Sequence, residues 1–201
     1  MTSAPLTAVI DTRALVHNVQ LLQDRAAGKQ LVAIVKADAY GHGVGIVVPA
    51  LARAGVTHFG TATIPEAIAV TDILADLNQQ GGQDGQSVHT VMCWLYEPHA
   101  DLSEPVERGI ELGVGSPAAL EAIFAAAHTT GKTARIHLKV DTGLGRNGLN
   151  RTQLQLVLEQ LSTAHGVQVC GVMSHFACAD EPENDFNRIQ VERFNQDVDT
   201  V

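Results

Sequence analysis

A lysine at the end of an apolar run is the first residue of this chain with chemistry to do. In LVAIVKADAYGHGVG, residues 31–45, the run Leu31–Val35 is short, β-branched and followed by glycines. That is the pattern of a strand buried on both faces. Lys36 stands at its last position. Lysine is rarely buried without a partner or a task; the plain alternative is that Lys36 is the first solvated residue after the strand. Gly41, Gly43 and Gly45 would let the backbone turn sharply and offer N–H groups at the start of the next helix, a common way to hold a phosphate. Tyr40 and His42 add polar side chains at the same place. A desolvated lysine, its pKa lowered by burial, beside a phosphate cradle is what a Schiff base with pyridoxal phosphate requires. The glycine spacing of this stretch is neither a dinucleotide fingerprint nor a P-loop.

Two further stretches pair polar chemistry with a strand end. In IHLKVDTGLGRNG, residues 136–148, Lys139 lies inside a strand pattern, where a charge needs a partner. Arg146 follows two glycines and offers a planar fork to an oxyanion or phenolate. The plain reading of Asp141 and Thr142 is a strand-to-helix turn bonded to its own backbone. In GVMSHFACADE, residues 171–181, His175 follows a strand, and a lone histidine is more often a structural hydrogen-bonding group than a catalyst. Asp180 and Glu181 read as helix-opening acids.

All three stretches resemble motifs of the alanine racemases. VKADAYGHG is similar to the family's cofactor-attachment motif, DTGLGRNG to its arginine motif with Leu144 and Asn147 as departures, and SHFACADE to its histidine motif. The resemblance implies pyridoxal 5′-phosphate as cofactor, carried by Lys36, which is also one of two catalytic bases. It implies a phosphate contact for Tyr40, a ring contact for His175, and a bond from Arg146 to the cofactor's phenolic oxygen, with Arg146 also meeting substrate. Lys139 becomes a candidate for carbamylation, which would turn a cation into an anion that positions Arg146. The implied reaction is interconversion of L- and D-alanine by a cytoplasmic homodimer, supplying D-alanine for peptidoglycan. HFGTATIPEAI and VMCWLYEP resemble the family's second and third strands more weakly; Glu66 reads as a helix-start acid and Trp94 as core.

The elements that must position these residues alternate. Strand patterns fall at 31–35, 56–61, 88–95, 110–114, 135–140 and 167–174, with helical patterns at 12–27, 64–77, 116–131, 150–162 and 184–201. Ser116 is placed to cap the third helix, behind Pro117 in its first turn. Residues 78–86, NQQGGQDGQ, read as a polar loop. On the last helix Phe186, Ile189 and Phe194 share a face. Repeated β-then-α units imply a parallel sheet, doubly wound or a (β/α)₈ barrel. The resemblance selects the barrel, incomplete at about six strands where closure needs eight and about 250 residues. Residues 1–12 would be an opening strand pairing with a C-terminal β-domain that this chain does not contain. The same resemblance places the second base, a tyrosine, and most phosphate ligands beyond Val201. The 201-residue chain is therefore expected to be an N-terminal piece with little activity of its own.

Composition narrows the alternatives. A net charge of −9 disfavours a nucleic-acid partner, and no apolar stretch is long enough to span a bilayer. Cys93, Cys170 and Cys178 have no metal-ligand spacing and read as reduced thiols. Two rival functions stay open: a racemase of broader amino-acid range on the same scaffold, and a non-catalytic pyridoxal-phosphate-binding homeostasis protein, whose lysine motif lacks the YGHG surround.

Overall fold

The computed structural model describes residues 7–80 and 89–201, which form two compact units, Met1–Met92 and Cys93–Val201. In the first, α1 (Thr12–Arg25) opens on Asp11, whose carboxylate accepts the N–H groups of Arg13 and Ala14. β1 (Val32–Ile34) runs parallel to β2 (His58–Thr63), with Val32 opposite His58 and Ile34 opposite Gly60. Between them lie the short turn α2 (Lys36–Tyr40) and α3 (Val44–Arg53); α4 (Ile64–Gln80) follows β2. Val48, Phe59, Ala67 and Val70 are almost fully buried and form the centre of this unit. Burial of such side chains contributes about 1.5–3 kcal/mol each for the larger ones.

The described residues bear on four sequence expectations. Thr7–Asp11 carries no strand, and Val9 is 84% exposed, because a lone segment has no ladder to join; residues 1–6 lie outside the described residues. β1 is shorter than expected and is not buried on both faces, since Ile34 is 39% exposed. The helix expected to start after the glycines is α3, whose extent the sequence alone does not delimit; it forms because Val47, Val48 and Leu51 are buried, which offsets the N–H that Pro49 lacks. The polar loop expected at 78–86 begins later, as α4 runs through Gln80, and residues 81–88 lie outside the described residues.

β3 (Thr90–Leu95) begins in the first unit and ends in the second. The second unit continues with α5 (Ser103–Glu107), β4 (Glu111–Val114), α6 (Pro117–Thr130), β5 (Ala134–Lys139), α7 (Arg151–Thr163), β6 (Val167–Met173) and α8 (Asp185–Val198). β4, β5 and β6 are parallel neighbours in that order. α6 starts as its sequence dictates, with Ser116 Oγ accepting the Ala119 N–H and Pro117 in the first turn, and it ends on Gly131 at φ 66°. α7 opens on a reciprocal capping box between Asn150 and Gln153. Leu112, Ile136 and Leu138 are fully buried on one face of the strands, among them residues packed with α6.

The alternation of the strands puts Glu111, Arg135, His137 and Lys139 on the other face. Glu111 is 3% exposed, yet it remains a carboxylate held from two sides. Arg135 donates to its Oε1 through Nη2 at 2.6 Å and Nε at 3.0 Å, and His137 Nε2 lies 2.5 Å from Oε2. At the β5–β6 irregularity His137 comes opposite Gly171, where a Cβ would stand 3.0 Å from the imidazole Nδ1. Burial alone would raise the Glu111 pKa; the bonds from His137 and Arg135 prevail and hold it down to about 2 from an ordinary 4.5. A carboxyl with a depressed pKa in the folded state adds stability that is complete above its unfolded value and is lost as protons bind. Resistance to urea should therefore fall as pH drops from 4.5 to about 2. Glu111→Gln should lower stability at pH 7 by about 2–3 kcal/mol and flatten that acid limb.

Candidate active site

Lys36 does not end a strand but opens a left-handed turn. Ala37, Asp38 and Ala39 sit at φ 52°, 54° and 54° with ψ near 50°, Tyr40 follows at φ 55°, and Gly41 closes the turn at φ 79°. A left-handed conformation costs a residue with a Cβ about 1–2 kcal/mol, so four in a row must be held by their surroundings. The holding contacts are visible. Ala39 N–H donates to Val35 O and Gly41 N–H to Ala37 O, both at 2.9 Å, and His42 Nδ1 lies 2.9 Å from Ala39 O. Asp38 grips the exit: its backbone carbonyl accepts the Gly43 N–H at 2.9 Å and its Oδ1 accepts the Val44 N–H at 2.7 Å, capping α3. The Ala37 N–H donates to Glu66 Oε1 at 2.8 Å.

This geometry corrects the phosphate cradle expected of the glycines. The N–H groups of Gly41, His42, Gly43 and Val44 are all engaged within the turn, so they are not available to an anion. Gly41 and Gly43, both at positive φ, let the chain leave a left-handed turn, while Gly45 lies within α3. Lys36 is half-buried rather than desolvated, and its Nζ lies 5.9 Å from the ring centroid of Tyr40, which is 59% exposed. A cation at that distance is attracted to the ring face.

In the second unit Lys139 ends β5 and is 3% exposed. Its ammonium donates to Asn147 O at 2.5 Å. Burial lowers its pKa, the positive charge of Arg146 lowers it further, and Asp141 opposes both. Residues 141–148 close on themselves: Asp141 N–H donates to Leu149 O, Leu149 N–H donates to Lys139 O, and Asp141 Oδ1 accepts the N–H groups of Gly143 and Gly145. The backbone-bonding role expected for Asp141 is therefore real, and those donors, against the opposing effect of burial, keep its pKa low. Arg146 is carried at the exposed outer part of this loop. It lines a cavity of about 300 Å³ with Trp94, Tyr96, Gly115 and Ser116. Trp94 is thus a cavity wall and only partly buried, not the core residue its sequence suggested. A Cβ at Gly115 would stand 2.3 Å from Asn147 Oδ1, so a larger residue there would require the Asn147 amide to move.

His175 lies two residues beyond the end of β6, exposed, and the register pairs Met173 with Lys139. Its loop is tied down by a residue that sequence reasoning missed. Gln190 on α8 is 1% exposed; its Oε1 accepts the Ala177 N–H at 2.8 Å, and its Nε2 donates to His175 O and Thr142 Oγ1, each at 2.9 Å. Thr142 Oγ1 lies 2.8 Å from Ser174 Oγ, which donates to Val140 O. One amide therefore locks the arginine-bearing loop to the histidine-bearing loop. The available signal was a polar residue on the face that carries Phe186 and Phe194.

The comparisons agree with this arrangement. A family model described as alanine racemase, N-terminal domain, matches residues 10–201. The alanine racemase of Thermobifida fusca is 39% identical over 197 residues, covering 96% of this chain and 50% of that protein. The crystal structure of alanine racemase from D-cycloserine-producing Streptomyces lavendulae is 39% identical with a TM-score of 0.80, over 95% of this chain and 48% of that one. The alanine racemase of Bartonella henselae, solved with covalently bound pyridoxal phosphate, is 25% identical with a TM-score of 0.83, over 96% of this chain and 53% of that one. The chain spans about half the length of these relatives. Six strands alternating with helices correspond to the family's (β/α)₈ barrel carried through six of its strands. Lys36 on its turn, Arg146 on its loop and a family match over nearly the whole sequence lead to one conclusion: the chain belongs to the alanine racemase N-terminal domain family.

Proposed function

We propose that this chain is the lysine-bearing part of a pyridoxal-phosphate-dependent alanine racemase that interconverts L- and D-alanine. The observation that carries the reading is Lys36, presented half-buried at the head of a braced left-handed turn with the Tyr40 ring beside it. Each unit carries side chains that suit the cofactor: an amine and a phenol, Lys36 and Tyr40, in the first, and a guanidinium and an imidazole, Arg146 and His175, in the second. With the turn's own N–H groups engaged, the Tyr40 hydroxyl is what this stretch offers a phosphate. When bound, the cofactor's conjugated ring acidifies the substrate's α-proton by drawing off its electrons. Lys36 Nζ moves that proton on one face. Racemisation needs a second base on the other face, and the chain's two tyrosines do not supply it. Tyr40 is assigned to the phosphate, and Tyr96 donates to Gly113 O at 2.9 Å with its pKa pushed up by burial. The chain alone is expected to bind without racemising.

Lys139 fits carbamylation. Burial and the Arg146 charge, opposed by Asp141, shift this amine toward its neutral form, and the neutral amine adds to carbon dioxide with release of one proton. The product is an anion beside the Arg146 cation. ¹³C-bicarbonate should give a carbamate resonance that is absent from Lys139→Ala; an unchanged spectrum in that variant would refute the assignment.

The family's wider properties, a cytoplasmic homodimer making D-alanine for peptidoglycan, belong to this proposal; no described helix is long and apolar enough to cross a membrane. The deciding test is borohydride reduction of the folded chain with pyridoxal phosphate, followed by peptide mass mapping. A pyridoxyl group confined to Lys36 is expected, and Lys36→Arg should abolish it. Scattered labelling of a folded chain would contradict the assignment.

A further inference from the structure

Glu66 stands in the first turn of α4, where an acid ordinarily serves the helix dipole. Its geometry goes further. Oε2 accepts the N–H groups of Ala62 and Thr63 at 3.0 Å each, at the end of β2, while Oε1 accepts that of Ala37 at 2.8 Å. Three backbone donors from two strand ends converge on one carboxylate. The Ala37 N–H precedes the first bond internal to the left-handed turn, so the turn itself has no acceptor for it. Ala37 is also where this turn enters positive φ, at a residue whose Cβ disfavours it. A group that holds this N–H holds the whole turn at its entrance.

Building on the role proposed for Lys36, we infer that Glu66 is a positioning residue whose carboxylate, by accepting the Ala37 N–H, fixes the left-handed turn that aims Lys36. The ionised form is required by the donor pattern. Both oxygens face backbone N–H donors, with the Thr63 hydroxyl bonding the carboxylate as well, so a Gln would oppose an amide N–H₂ to one set of N–H groups. Its pKa is lowered accordingly, burial opposing and the backbone donors of Ala37, Thr63 and Ala62 prevailing.

A glycine at position 37 separates this role from simple support of α4, because glycine enters positive φ at no steric cost. Peptide-level hydrogen exchange, without cofactor, is compared for the wild-type chain, Glu66→Gln and the double variant Glu66→Gln with Ala37→Gly. In Glu66→Gln, exchange across residues 35–44 should quicken about tenfold, the scale of one released left-handed residue. Peptides from β4 to β6 should be unchanged, and Ala37→Gly should restore most of the lost protection. Unchanged protection in Glu66→Gln, or a loss that glycine does not repair, would overturn the inference. If Glu66→Gln unfolds the chain throughout, the double variant must regain the wild-type far-UV spectrum; failure to do so overturns it as well. Pyridoxal phosphate trapping on the same proteins keeps the two readings apart. An unlabelled wild-type chain refutes the cofactor role of Lys36, while the exchange data still decide whether Glu66 holds the turn.

Discussion

The first unit is organised around a conformation the chain resists. Four consecutive residues with side chains, Ala37 to Tyr40, are left-handed, and hydrogen bonds from the turn and its neighbours hold them. Asp38 bonds the exit through both its carbonyl and its carboxylate, His42 reaches back to Ala39, and Glu66 takes the entrance. The choice of residues follows. Asp tolerates positive φ better than most, alanines add the least bulk, and Gly41 and Gly43 return the chain to α3. The outcome is a lysine placed at the head of a left-handed turn.

The second unit solves a different problem, the burial of charge. Lys139 and Glu111 lie on the same strand face, each 3% exposed, and each is met differently. Glu111 is matched by two cationic or hydrogen-bonding partners and stays ionised. Lys139 is met by a neutral carbonyl and a like charge, so its protonated form is disfavoured. That asymmetry makes Glu111 a compensated structural anchor and leaves Lys139 the less compensated charge, which is why carbamylation is proposed there. The loops above them owe their order to neutral hydrogen bonds instead, with Gln190 at the centre of the network through Thr142 and Ser174.

Much of this was legible in the sequence. The strands fall within a few residues of their expected places because short β-branched runs between helical patterns are a strong signal, and Ser116 and Asn150 cap as their types dictate. What was not legible is long-range. Nothing in ADAYG announces left-handed φ, since glycine spacing suggested a phosphate loop and only the hydrogen bonds show the donors to be spent. Glu66 is visible as a helix-start acid, but its bond to Ala37 spans 29 residues. Glu111 and His137 lie 26 residues apart and meet only through the parallel register of β4 and β5.

The central claim is that the protein itself, before any cofactor arrives, holds Lys36 at the head of a left-handed turn. NMR measurement of backbone couplings and chemical shifts at Ala37, Asp38, Ala39 and Tyr40 in the cofactor-free chain tests it most directly. Positive φ at all four positions is the predicted result. Negative or averaged φ at these residues would mean that the turn is not preformed, and would contradict the account.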